Sequence, residues 1–524
     1  MTQSPQSDRA SVRRWRPLRL ATWLVVLIMP ATAMAQTVTR AQVMAALPAL
    51  DATAKQQVAN GAVPGLAIAV VFDDQVVFSK GYGLRQAGKP DAVTPDTVFQ
   101  IASMSKPVSS TIVAALVSKG LVSWDSRIAD IDPSFRLHDA YPTAELTVRD
   151  LFVHRSGLPG VAGNELEDIG YDRGEILHRL ALVPASSSFR AVYSYSNFGL
   201  TEGAVAAAKP TSKSWEQVAD DFLYRPLAMA STSSRYADFV RRGNRASLHV
   251  KIDGKWVVLQ RQPDAQAPAG GVSSSVRDLA QWLRLELADG KFNGKPLIAA
   301  KALAETHEPQ IGRGTNPVTG AAAFYALGWN VEFGRHGLTW GHAGAFSVGA
   351  RSLVTLYPKA KLGIVLLANT FPTGVPEGIA DEFADQAFDG KPGKDWITPW
   401  NEAYSGLLGA AAKQAKARYA APPATPTPAL VDAAYVGHYA NAYIGEATVS
   451  ARNHVLTVRL GPGGKRIYTL RHFDRDAYIC FPDPESPDVP AGVNFTIGPD
   501  GKATAITIDQ LNDVGLGTLQ REND

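Results

Sequence analysis

The chain has 524 residues, 45% of them hydrophobic and 19% charged, which is enough for two or three domains with well-buried cores. Its formal net charge is +3, but the first 35 residues carry five arginines against one aspartate, which leaves the remainder at −1 and gives no electrostatic reason for a nucleic-acid partner. Cys480 is the only cysteine, so an intrachain disulfide and a cysteine-built metal cage are excluded, and Cys480 is expected to pack as a small hydrophobe.

In chain order, "RRWRPLRL" is a basic segment, "ATWLVVLIMP" is an apolar stretch too short to span a bilayer, and "AMA" (Ala33 to Ala35) precedes Gln36. This pattern predicts a signal peptide over 1–35, cleaved after Ala35, and a periplasmic or secreted protein with no membrane span once it is removed. Arg13-Arg14 hints at twin-arginine export, and no cysteine near the cleavage site offers a lipoprotein anchor. Next, "TRAQVMAALPALDATAKQQVANG" has helical spacing, and "GLAIAVVFDDQVVFSKGYG" reads as two strands joined at Asp73-Asp74. "TVFQIAS" is read as a strand running into the helix "SMSKPVSSTIVAALVSKG", and Pro107 is tolerated only near a helix start. Helices such as "VRDLAQWLRLELADG" alternate with polar loops up to about 340. Strands follow at "YALGWNVEF", "GLTWGHAG", "RSLVTLYP" and "LGIVLLANT", then a helix at "EGIADEFADQAF". Strands at both ends with helices between predict one sheet closed by its own C-terminal strands. "AAAKQAKARY" and the Pro-rich "AAPPATPTPAL" form a helix and stiff linker over 401–430. Alternation in "HVLTVRL", "RIYTLRH", "VNFTIG" and "TAITI" then predicts a small antiparallel β domain over 431–524, leaving 36–400 as the main domain.

Three short patterns carry candidate chemistry. Ser103 and Lys106 stand three apart at a strand-to-helix junction, so both face one side of the helix start. An amine whose pKa is lowered by burial can accept the hydroxyl proton, and a helix N-terminus offers backbone N–H to an oxyanion. Alternatively Ser103 is an N-cap, and a chain of this composition holds about one Ser-x-x-Lys by chance. Tyr195 and Asn197, in "YSYSNFG", project to one face if the segment is extended. Tyr439 and Asn441 repeat that spacing but lie beyond the linker and are set aside. His342, Ala343 and Gly344 lie on a strand whose glycine permits close approach, with Ala345 placed to supply a second oxyanion N–H. The chain has no G-x-S-x-G, G-x-x-x-x-G-K-[ST] or H-E-x-x-H, and its ten histidines show no zinc spacing.

Ser-x-x-Lys, Tyr-x-Asn and His-x-Gly in that order resemble the serine β-lactamase and penicillin-binding-protein family, and more closely its class C β-lactamase, esterase and D-peptidase branch. "TVRDLFVHRSGLPG", "YSNFGLTEG", "PAGGVSSSVRDLAQWL", "YALGW" and "LGIVLLAN" carry the same resemblance, over about residues 55–390. It implies an α+β, β-lactamase/transpeptidase-like fold: a five-stranded antiparallel sheet flanked by helices, an all-helical subdomain, and the site between them. The C-terminal β domain resembles the lipocalin-like, barrel-like appendages of some relatives, through which such chains form homo-oligomers or send a loop toward the site. Asp483, Glu485 and Asp488 in "FPDPESPDVPAG" would then be candidates for a substrate amine, beside the simpler reading of a solvated loop.

The resemblance further implies that Ser103 is the nucleophile, that Lys106 and Tyr195 share the proton work, and that Asn197 positions substrate. The N–H groups of Ser103 and Ala345 would hold the oxyanion, with no cofactor and no metal. His342 stands where β-lactamases of this group carry a lysine that helps hold a carboxylate, so carboxylate recognition is expected to be weaker here. His154, in "VHRSGLP", is read as structural. The expected function is an exported serine hydrolase of small, linear or D-residue-containing peptides, linearised microcystin among them. The alternatives are a short-chain esterase, a weak class C-like β-lactamase, and a non-catalytic peptide or cell-wall binding protein.

Overall fold

The two apolar runs around Asp73-Asp74 form the hairpin expected of them. β1 (Gly65–Phe72) and β2 (Gln75–Gly83) flank two residues with positive φ, 46° and 61°, which is the twist that a two-residue hairpin turn requires. The computed structural model describes residues 37–391, 393–482 and 488–522. The signal-peptide reading of 1–35, and Asp483 and Glu485, lie outside the described residues.

β1 and β2 belong to an antiparallel sheet with β3 (Ile311–Thr315), β4 (Ala322–Tyr325), β5 (Asn330–Gly334), β6 (Gly337–Phe346), β7 (Ala350–Tyr357) and β8 (Leu362–Ala368), in the order β2-β1-β8-β7-β6-β5-β4-β3. The expected five strands are therefore eight, because β5, β4 and β3 extend the sheet beyond β6. "YALGWNVEF" is not one strand: it begins on Tyr325, the last residue of β4; Gly328, at φ +80°, turns the chain, and β5 starts at Asn330.

The helices that position the site are α1 (Arg40–Ala59), α2 (Ser105–Ser118), α3 (Asn197–Ala208), α4 (Val276–Leu287), α5 (Val375–Asp389) and α6 (Ile397–Arg418). β1 shows how the layers arise from alternation. Ala67, Ala69 and Val71 join the core that contains Ile112 of α2 and Leu283 of α4, while Leu66, Ile68, Val70 and Phe72 join the core that contains Leu50 of α1 and Ile379 of α5. A strand covered on both faces needs an unbroken apolar run, and "GLAIAVVF" is one.

α2 is buried on all sides, so its polar residues need internal partners. Thr111 Oγ1 donates to Glu286 Oε1 at 2.5 Å and accepts from Trp282 Nε1 at 2.9 Å, both on α4, and Ser109 Oγ donates to the Pro268 carbonyl at 2.6 Å. These bonds lock the helix in register beneath the site.

After α6, residues 422–431 carry no helix or strand and lead into a nine-stranded antiparallel sheet. Its first and last strands in sheet order are Arg466–Thr469 and Arg471–Asp474, so "RIYTLRH" is two strands and the barrel stays open between them. Tyr435, Tyr439, Tyr478 and Phe495 fill its interior, with ring centroids 4.8–6.3 Å apart. Cys480 is buried there, with its thiol pushed up to about 12 by burial.

Candidate active site

From Ile101 to Leu116 every residue is buried except Ser103. The expected long strand before it is only Phe99–Gln100, and a 3₁₀ turn, Ala102–Met104, separates it from α2. Ser103 therefore sits in that turn, two residues before the α-helix. Ala102 is held at φ +47°, a conformation that costs a non-glycine residue free energy and persists only when its surroundings fix it. Ser105 does part of the fixing: its Oγ donates to the Ala102 carbonyl at 2.6 Å and accepts from the Val272 N–H at 3.0 Å. Sequence reasoning passed over Ser105, whose importance lies in partners remote in the chain.

Lys106 is fully buried, and its Nζ lies 3.2 Å from Ser103 Oγ. It donates to Asn197 Oδ1 at 2.7 Å and to the Ala269 carbonyl at 2.9 Å. Burial drives its pKa well below the ordinary lysine value. A neutral amine has two N–H groups and one lone pair. In that neutral form, with two acceptors taking the N–H groups, the lone pair would be the part left for Ser103.

Tyr195 and Asn197 do converge on Lys106, but not through an extended segment. Ser196 caps α3, its Oγ accepting from the Gly199 N–H at 3.1 Å, so Asn197 is the first helical residue and Tyr195 precedes the cap. The Tyr195 ring lies 4.5 Å from Lys106 Nζ. Burial raises the Tyr195 pKa, with the Ser103 hydroxyl acting against it, so the phenol stays protonated.

His342 is buried, and burial, with the neighbouring Lys106 acting in the same sense, pushes its pKa down to about 3. Its Nε2 lies 3.0 Å from the Tyr325 hydroxyl, and its Nδ1 lies 2.6 Å from the Ala343 carbonyl. Tyr325, at the end of β4, was missed as a site residue although "YALGW" contains it. The same phrase holds Gly328, where an added Cβ would lie 2.9 Å from the Lys106 carbonyl. His154, buried at φ +60°, accepts the Ser196 N–H on Nδ1 at 3.1 Å and packs 4.6 Å from the Tyr195 ring. It orients the Tyr195 segment.

β6 closes the site. β5 pairs with it only as far as Gly341, so from His342 to Phe346 the strand is paired by β7 alone. One face of that stretch packs against the Ser103 turn. At Gly344 an added Cβ would lie 2.2 Å from the Ile101 carbonyl, 2.5 Å from Ser352 Oγ and 2.8 Å from the Met104 nitrogen. Only glycine fits there, and Ala345 follows it.

His336, Asp385 and Asp389 form the only group among the described residues with metal-ligand spacing. Its carboxylates already pair with Arg335, and Trp396 Nε1 and the Gly393 N–H donate to Asp385 at 2.8 Å each.

A hydroxyl raised on a strained turn, beside a buried amine and an unpaired strand edge, defines a serine hydrolase of the β-lactamase and penicillin-binding-protein class. Residues 50–388 match the family described as Beta-lactamase, and the chain belongs to it. Residues 421–518 match a domain of unknown function, DUF3471. An unguisins hydrolase of Aspergillus campestris is 24% identical, the match covering 87% of this chain and 88% of that one. Penicillin-binding protein 4 of Amycolatopsis lactamdurans is 28% identical, the match covering 59% of this chain and 81% of that one. The octameric penicillin-binding protein homologue from Pyrococcus abyssi shares the fold at a TM-score of 0.57 and 19% identity, over 88% of this chain and 98% of that one.

Proposed function

We propose that this chain is an exported serine peptidase acting on short linear peptides, D-residue-containing ones among them, through an acyl-enzyme on Ser103. The observation that carries this reading is the Lys106 amine, buried without a carboxylate partner among the described residues and 3.2 Å from Ser103 Oγ. Lys106 takes the Ser103 proton as Oγ attacks the carbonyl carbon, and the N–H groups of Ser103 and Ala345 receive the oxyanion. Collapse breaks the C–N bond. The leaving amine takes its proton from Lys106, with Tyr195 as the neutral hydroxyl that passes it, and water then releases the acid from Ser103. Asn197 holds Lys106 with its Oδ1 and has its amide nitrogen left for a substrate carbonyl.

Two features favour peptides over other acyl donors. The unpaired edge of His342–Phe346 offers backbone groups to an extended chain, as in strand addition. The second is the rim. His342 is uncharged, but Arg313 on β3 is exposed and holds its guanidinium 5.2 Å from the Tyr193 ring and 5.9 Å from the Tyr325 ring. It bonds Asn330 Oδ1 and has no carboxylate within ion-pair distance among the described residues. Glu332, the carboxylate that feels it, is taken by Asn316 Nδ2 at 3.3 Å. Arg313 is thus placed to meet a peptide's terminal carboxylate. In an octameric relative the fold assembles, and we extend homo-oligomer formation to this chain as part of the same reading.

The test is a substrate panel on the wild type and Ser103→Ala: p-nitrophenyl acetate, nitrocefin, a D-alanyl anilide and linear peptides. Peptides and the anilide are expected to give the highest kcat/KM, abolished in Ser103→Ala. Nitrocefin turnover far above the others would overturn the peptidase reading.

A further inference from the structure

The C-terminal sheet grips one short helix of the main domain at both ends. At the start of Asn164–Asp168 the Gly163 N–H donates to Tyr443 Oη at 3.1 Å. At its end Arg466 donates to the Asp168 carbonyl, and Gly461 packs so closely on the Ile169 carbonyl that a Cβ would lie 2.2 Å from that oxygen. Beside this grip, Arg179 Nη1 donates to the Tyr443 carbonyl at 2.7 Å and Tyr171 Oη to the Ile444 carbonyl at 2.9 Å. Tyr443 is nearly fully buried, so this is a packed junction.

That helix in turn carries Glu167, whose carboxylate reaches both segments that hold the Ser103–Lys106 pair. Gln266 donates its amide to Glu167 Oε2, and Gln266 opens the segment whose Ala269 carbonyl takes a Lys106 N–H at 2.9 Å. Arg261 pairs with Glu167 at 2.5 Å, and the Arg261 carbonyl accepts from Gln100 Nε2 at 2.9 Å, three residues before Ser103. The Arg261 guanidinium also lies 5.7 Å from the ring of Phe346, the residue after Ala345. Every link is a direct contact between buried or half-buried groups.

We infer that the C-terminal sheet is a positioning element for Ser103 and Lys106, acting through the helix Asn164–Asp168 and Glu167. Tyr443 and Arg466 are the positioning residues, and neither touches the reacting atoms. The inference rests on the reading of Lys106 as the base. A helix of five residues held at both ends cannot drift without moving Glu167, and with it the Ala269 carbonyl that keeps one Lys106 N–H engaged. Loosening it admits water beside Lys106 and frees the amine from its fixed orientation.

The groups that face Lys106 from the packed elements are Tyr195, His154 and His342, all kept neutral by burial, with Arg313 further out. The acid limb of the pH–rate profile therefore reports Lys106. At the junction Glu165 faces Tyr443, and Asp513 acts on Glu165; burial raises both carboxyl groups, Glu165 to about 7.

The experiment compares full-length wild type, Tyr443→Phe, Arg466→Gln, the double variant and Arg466→Lys. It measures kcat and KM between pH 5 and 10 on the best substrate of the panel, and the pH dependence of fluorophosphonate labelling. The double variant is expected to show the acid limb of both profiles moved up by about one pH unit and kcat at pH 7 lowered about tenfold, with KM within about twofold. Tyr443→Phe, which deletes one hydroxyl, is expected to move the limb in the same direction by less. Arg466→Lys, which retains a donor for the Asp168 carbonyl, is expected to restore most of the wild-type profile. An unmoved acid limb in both Tyr443→Phe and the double variant overturns the inference, as does a rate loss equal at every pH. Absence of labelling in the wild type is a different result, because it removes Ser103 as nucleophile and with it the reading on which the inference rests.

Discussion

Tyr325 Oη donates to His342 Nε2 at 3.0 Å, while His342 Nδ1 donates to the Ala343 carbonyl at 2.6 Å. A carbonyl can only accept, so a proton is on Nδ1, and in the neutral ring Nε2 accepts from the phenol. Burial, which lowers the His342 pKa to about 3, keeps the ring neutral, so with both nitrogens engaged it shapes the wall beside Ser103 rather than supplying a charge there.

This neutrality has a pH signature. Folding lowers the His342 pKa from 6.5 to about 3, so between those values the unfolded chain binds a proton that the native one does not. Stability then rises with pH across that window and is lost as pH falls below 6.5, by about 1.4 kcal/mol per pH unit for one such group. Urea melts from pH 4 to 7 are expected to show this slope reduced by about that amount in His342→Gln, and ¹⁵N spectra to show the Nδ1–H tautomer unchanged down to pH 5.

Gly344→Ala puts a methyl group 2.2 Å from the Ile101 carbonyl and 2.8 Å from the Met104 nitrogen, both backbone atoms of the Ser103 turn. Neither can give way as a flexible side chain can. The expected result is a stability loss of about 1–3 kcal/mol and a loss of labelling at Ser103 larger than the melt accounts for. Chemical denaturation and labelling kinetics on one preparation check both parts.

Ser105→Ala removes a donor to the Ala102 carbonyl and leaves the Val272 N–H buried without its acceptor. An unsatisfied buried group of this kind costs about 1–3 kcal/mol. A denaturation midpoint that is lower while KM is unchanged is the expected result.

Arg313→Gln removes an exposed cation at the rim and touches neither Ser103 nor Lys106. For peptides with a free terminal carboxylate, KM is expected to rise about tenfold, the size of one charge-assisted hydrogen bond, with kcat little changed. The terminal amides of the same peptides are expected to be unaffected. Steady-state kinetics on matched acid and amide pairs measure this.

Much of this organisation was legible in the chain itself, for reasons that are local. The β1–β2 hairpin follows from two apolar runs around Asp73-Asp74, and the position of Ser103 follows from a strand, a proline and a helical apolar pattern. Motif order carried the resemblance that implied one site for Ser103, Lys106, Tyr195, Asn197 and His342; that Tyr195, Asn197 and His342 all lie about the Lys106 amine is seen only in the structure. What stayed hidden depends on contacts distant in sequence. Ser105 matters because of Val272, and Tyr325 because of His342. The strand read at "YALGWNVEF" divides into the end of β4 and β5 because Gly328 turns inside it. The two-strand reading of "RIYTLRH" was likewise out of reach, since its halves pair with Val455–Leu460 and Ala477–Cys480.

The central claim is that Ser103 is the nucleophile and that the neutral amine of Lys106 activates it. Intact-mass measurement after fluorophosphonate exposure tests it most directly, on wild type, Ser103→Ala and Lys106→Ala. One adduct is expected on the wild type, mapped to Ser103 and absent from Ser103→Ala, with Lys106→Ala labelled about 10²–10⁴-fold more slowly, as befits loss of a general base. An adduct that persists in Ser103→Ala, no adduct on the wild type, or a Lys106→Ala rate equal to that of the wild type would contradict the account.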